Sequence, residues 1–187
     1  MNICPVLLAV LALLAACGVE SEQPLSDPAQ AKPDSRLAGV WYDIDYELQP
    51  SQFLHVIPEK EAWMDLVLLA HEAKDGKVSR FKGFPTLNRE RNYLNVAEEK
   101  EADEQRYLIL HYAFSGPDTV SFWALDKAPM EQAVDQGHLQ GRRENEGNIE
   151  DEVLVLSDSG ARILTYLQAE EVEELFEPLA TFRRVSF

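Results

Sequence analysis

The stretch Leu37-Ala38-Gly39-Val40-Trp41-Tyr42-Asp43-Ile44-Asp45-Tyr46-Glu47 decides the fold class. Val40, Tyr42, Ile44 and Tyr46 alternate with Asp43, Asp45 and Glu47. That period of two marks a half-buried β-strand, because successive side chains of a strand point to opposite faces.

Downstream the same grammar repeats. Ala62–Ala73 is rich in apolar residues and ends at Lys74-Asp75-Gly76-Lys77, whose Asp-Gly pair suits a tight hairpin turn into Val78–Phe84. Asn92–Glu98 reads as a further strand, followed by a charged loop at Glu99–Gln105. Arg106–Phe114 and Thr119–Leu125 flank Ser115-Gly116-Pro117-Asp118, a second hairpin signal. Asp126 is placed to cap a short helix through Met130, Ala133 and Val134 that Gly137 stops. Ser157 or Ser159 caps another, with Ile163, Leu164 and Leu167 on one face, and Leu179–Phe187 reads as a final strand. Many short antiparallel strands with one or two helices late in the chain predict a mainly β protein, an antiparallel barrel or sandwich.

Upstream of the first strand the chemistry changes. Met1–Ala16 holds no Lys, Arg, Asp or Glu, and Val6–Ala16 is an apolar run of eleven residues. A bilayer span needs roughly 20 residues, so this run suits the core of an export signal instead. Leu14-Ala15-Ala16-Cys17 resembles the lipobox of bacterial lipoproteins at all four positions. The resemblance implies cleavage before Cys17 and diacylglyceryl and palmitate-type acyl chains on that cysteine. Two or three chains hold a protein stably on a membrane, where a single one does not. Gly18, rather than Asp, follows the cysteine, which by the same resemblance implies the outer membrane, facing the periplasm. Cys4 leaves with the signal, so no internal disulfide is open to the mature chain.

Val19–Arg36 carries three prolines and few large apolar residues, which predicts a disordered tether with a reach of roughly 20–25 Å. The expected organisation is a signal peptide at 1–16, a lipidated cysteine and tether at 17–36, and one domain at 37–187.

Gly39-Val40-Trp41-Tyr42 resembles the Gly-X-Trp signature on the first strand of lipocalins and related calycin barrels. In that family the Trp packs at the closed end of the barrel beneath an Arg from the last strand. The resemblance therefore implies a lipocalin-like barrel in which Trp41 is paired with Arg183 or Arg184.

The residues that carry chemistry are sparse. His55, His71, His111 and His138 stand at no close metal-ligand spacing, so no metal site is expected. Ser115-Gly116-Pro117 and Ser157-Asp158-Ser159-Gly160 lack the Gly-X-Ser-X-Gly frame of a nucleophile elbow. Gly137-His138-Leu139-Gln140-Gly141 lacks the ending of a phosphate-binding loop. The carboxylates of Glu98–Glu104 and Glu170–Glu174 read as solvated charge. No catalytic set and no cofactor is expected. The formal charge of −16 excludes nucleic acid, which is bound by neutralising phosphates with Lys and Arg. Trp63, Phe81, Phe84, Tyr93, Tyr107, Tyr112, Phe114, Phe122 and Trp123 lie on predicted strands. About half of each strand faces inwards, where these rings either line an apolar pocket or fill the interior. The expected function is a non-enzymatic binding domain for a small apolar ligand, anchored to the membrane by its lipid. The alternative is an acidic interaction or structural lipoprotein that docks a basic envelope partner.

Overall fold

The structure is a computed structural model that describes residues 18–44, 52–70, 77–88, 91–98, 105–145 and 152–186. Cys17, the signal segment and His71 lie outside the described residues. The chain forms β1 (Val19–Ser21), β2 (Gly39–Asp43), β3 (Gln52–Pro58), β4 (Met64–Ala70), β5 (Lys77–Leu87), β6 (Asn92–Ala97), β7 (Leu108–Phe114) and β8 (Thr119–Leu125). There follow α1 (Lys127–Asp135), β9 (Gly141–Glu144), β10 (Val153–Leu156), α2 (Gly160–Ala169), α3 (Val172–Leu175) and β11 (Phe176–Arg184). Strands β2 to β8 run antiparallel in sequence order, and β11 closes them into an eight-stranded barrel by pairing with both β8 and β2. Among the described residues no helix is long and apolar enough to cross a membrane.

Two cores form around one wall. Inside the barrel lie Trp41, Val56, Leu66, Leu94, Tyr112, Phe122 and Phe182 with their neighbours. On the outside of β6, β7 and β8 a second core joins Tyr93, Ile109 and Leu125 to Met130 of α1, Leu154 and Leu156 of β10, and Ile163 and Leu167 of α2. The segment between β8 and β11 thus folds back as a second layer. Its helices start where the sequence places caps: the Asp126 carboxylate accepts from Ala128 N, and the Ser159 hydroxyl accepts from Arg162 N.

Two expectations are corrected. Residues 18–36 are not a tether. Val19–Ser21 pairs in parallel with Leu154–Leu156, and Val19, Leu25 and Asp34 are buried. The segment is poor in apolar residues, but Val19 and Leu25 enter a hydrophobic layer that the late elements have already assembled. Its backbone is satisfied from far along the chain: the Asn95 carboxamide accepts from Leu25 N at 2.8 Å and donates to Phe84 O and to the Thr86 hydroxyl. Gly160 is required here, since a Cβ would stand 1.8 Å from the Pro24 carbonyl oxygen. The folded unit therefore includes residues 18–36 and does not begin at Leu37.

The second correction concerns β2. Its buried face is that of Trp41 and Asp43, while Val40, Tyr42 and Ile44 are only half-buried on the outside. Trp41 outweighs the smaller apolar residues in the burial it offers, and its face sets the register against β3 and β11.

Candidate functional site

One end of the barrel is plugged. Trp41 is fully buried, and its indole N–H donates to Leu37 O at 2.8 Å. The guanidinium of Arg184, on the last strand, lies 4.1 Å from the Trp41 ring centroid, an arrangement worth roughly 0.5–2 kcal/mol. Arg183, paired with Tyr42, points to the outer face and is exposed. Arg184 also donates to the carbonyls of Ala38 and Arg36. Gly39, at φ +133°, gives it room: a Cβ there would stand 2.7 Å from Arg184 Nη1. Beside this stack Asp34 is buried and accepts two hydrogen bonds from Arg36, at 2.9 and 2.7 Å, and one from the Tyr112 hydroxyl at 3.0 Å. Burial alone would raise the Asp34 carboxyl, but the Arg36 side chain and backbone, helped by Tyr112, hold it below its ordinary value. Burial, with the Asp34 carboxylate behind it, pushes the Tyr112 hydroxyl up, so it remains a donor.

Beyond the plug the barrel is not filled. A cavity of about 90 Å³ remains, with Leu37 bordering it from the plug and Leu54, Leu68, Phe81, Phe122 and Phe182 among its walls. Its exposed lining is wholly apolar, and among the described residues Gln52 is the only one with a polar side chain around it. Gln52 is buried, and its Oε1 has no hydrogen-bond partner among the described residues.

The aromatic residues divide between the two cores. Phe81, Tyr112, Phe114 and Phe122 belong to the barrel interior, but only Phe81 and Phe122 of these reach the cavity. Tyr93 and Trp123 face the second layer. Trp63 lies before β4 and packs edge-on against Phe84 at 4.8 Å, and Phe84 in turn meets Tyr107 at 6.4 Å. Sequence reasoning missed Leu37, Gln52 and Leu54. Gln52–Pro58 carries a period of two in Leu54 and Val56, a signal that the flanking prolines obscured.

The three described histidines do not come together. His55 is half-buried on the outer face of β3, and the His138 ring lies 6.2 Å from that of Tyr166. His111 is buried among Trp123, Phe176 and Tyr93, with Nδ1 3.1 Å from Asn92 O. Among the described residues no group of three or more His, Cys, Asp or Glu converges as a metal site would require. Ser115 and Gly116 form the β7–β8 turn, where Ser115 N donates to Thr119 O. Asp158 accepts from Gln140 N at 2.6 Å and so ties the α1–β9 connection to the start of α2. These groups hold structure in place.

Fold and site together define an antiparallel eight-stranded barrel, plugged at one end, with an apolar internal cavity. No protein-family model, curated protein or solved structure matches this chain.

Proposed function

We propose that this protein is a lipid-anchored envelope protein whose barrel binds a small apolar ligand without catalysis. The observation that carries the binding reading is the cavity, which is apolar on all its exposed lining and bounded at one end by the Trp41–Arg184 plug. An apolar molecule gains about 25 cal/mol for each Å² it withdraws from water into such a space. Among the described residues the cavity lining holds no ionisable side chain and no nucleophile. Anchoring rests on Leu14-Ala15-Ala16-Cys17, which lies outside the described residues. Export with that lipid places the domain at the periplasmic face of the outer membrane. The lipid-bearing cysteine adjoins Gly18, whose carbonyl already accepts from Leu154 N at 2.7 Å, so no long spacer separates lipid from fold.

Displacement of a small hydrophobic fluorophore from the mature chain by short-chain apolar probes tests the binding reading. Saturable displacement at tens of micromolar is expected, and its absence would refute it. Membrane fractionation of Cys17→Ser tests the anchor separately: the variant is expected in the soluble fraction, and retention on the membrane would overturn lipidation.

A further inference from the structure

We infer that the ligand is an uncharged amphiphile whose hydrogen-bond donor is received by the side-chain oxygen of Gln52. The inference deepens the proposed binding function and rests on it. Gln52 opens β3 at the end of the barrel opposite the Trp41 plug, and it pairs with Ala70. Tyr42 pairs with Phe53, so the next position in the ladder sets Asp43 beside Gln52, both on inward-facing positions and both buried. Gln52 borders that end of the cavity, while the walls between it and the plug are hydrocarbon.

A buried acceptor without a partner is unusual in a folded protein, and leaving one so costs about 1–3 kcal/mol. Leu or Met in that position would cover the same space with no such cost, and Leu54, Leu66 and Leu68 around it show what an ordinary wall of this cavity is made of. The oxygen is covered in this structure, and a turn of the Gln52 side chain towards a ligand that brings a donor removes the penalty. An alcohol or a primary amide supplies that donor at the end of an alkyl group. An ionised carboxylate supplies only further acceptors, and a plain hydrocarbon supplies nothing. The cavity of about 90 Å³ restricts the alkyl part to a short chain or the tip of a longer one.

The test compares four probes matched in size: n-hexane, 1-pentanol, butyl methyl ether and butanoate. Each is titrated into the mature chain and into Gln52→Leu, with binding read from the chemical shifts of the cavity methyl groups. Relative to hexane, 1-pentanol is expected to weaken about tenfold in Gln52→Leu, the loss of roughly one hydrogen bond. The ether, which only accepts, is expected not to change relative to hexane, and butanoate is expected to bind weakest to the natural protein. An unchanged pentanol-to-hexane ratio, or an ether that shifts as pentanol does, overturns the inference. Failure of every probe to bind the natural protein refutes the cavity reading itself. Gln52→Leu is also expected to unfold at a higher urea concentration, because it removes the orphan acceptor. A lower midpoint, reproduced by Gln52→Met, would make Gln52 a structural residue and overturn the inference in the same way.

Discussion

The two halves of the barrel wall are built from similar strands but face different surroundings. β6, β7 and β8 are buried on both sides, with the barrel interior on one and the second layer on the other. β3 and β4 bury only their inner residues, and Ile57 on β3 and Val78 on β5 remain half-exposed outside. The residue types barely differ: Val, Ile and Leu alternate along both halves. The covering layer turns an ordinary half-buried strand into a core strand, and apart from α1, which follows β8 directly, that layer comes from chain segments distant in sequence.

The comparison breaks most clearly in the second core. Ile163 is fully buried on α2, and Ile163→Ala is expected to cost about 2–5 kcal/mol in urea unfolding, with loss of exchange protection on the outer faces of β6 and β7. A cost below about 1 kcal/mol would show that the second layer does little to hold the wall.

A smaller effect tests the same contact by acid. His111 stands on the covered half against Tyr93, Trp123 and Phe176, with Arg91 and Glu173 the nearby charges. Burial, aided by Arg91, lowers its affinity for a proton, against the opposing pull of the Asn92 carbonyl and Glu173. The unfolded chain takes up a proton below about pH 6.5 that the native state declines, so stability is full above that pH and falls as pH drops towards the lowered native value. Urea midpoints from pH 7.5 to 5 are expected to fall, and His111→Gln is expected to flatten the slope. An equal slope in the variant would exclude His111 as the cause.

The least change is expected on the bare half. Ile57 is 50% exposed, and Ile57→Ser is expected to alter stability by no more than about 0.5 kcal/mol. A larger loss would mean that this face is covered in solution.

Local patterns made the barrel legible. Thr119–Leu125 alternates with Val120, Phe122 and Ala124 inside, and the strand spans the residues its periodicity indicates. Asp126 and Ser159 announced their helices because a cap is a short-range hydrogen bond. The Gly-X-Trp start pointed to the plugged end, though the choice of Arg184 over Arg183 needed the register of β11 against β2. What failed was non-local. The 18–36 segment has the composition of a linker, and its order comes from Asn95, Leu154–Leu156 and Gly160, which no window around it contains. The cavity was equally hidden, because it is the volume left when side chains from most of the strands have packed.

The first strand also carries a consequence in time. Val19 pairs with Leu154 across a long stretch of the sequence, whereas each barrel hairpin closes between neighbours. Loop closure over such a span is entropically more demanding than closing a hairpin, so the parallel pairing of β1 waits for β10, as the closure of β11 on β2 waits for the last strand. β1 leaves the ribosome well before β10, its parallel partner. In that interval Pro24 lacks Gly160, against which it packs in the folded protein.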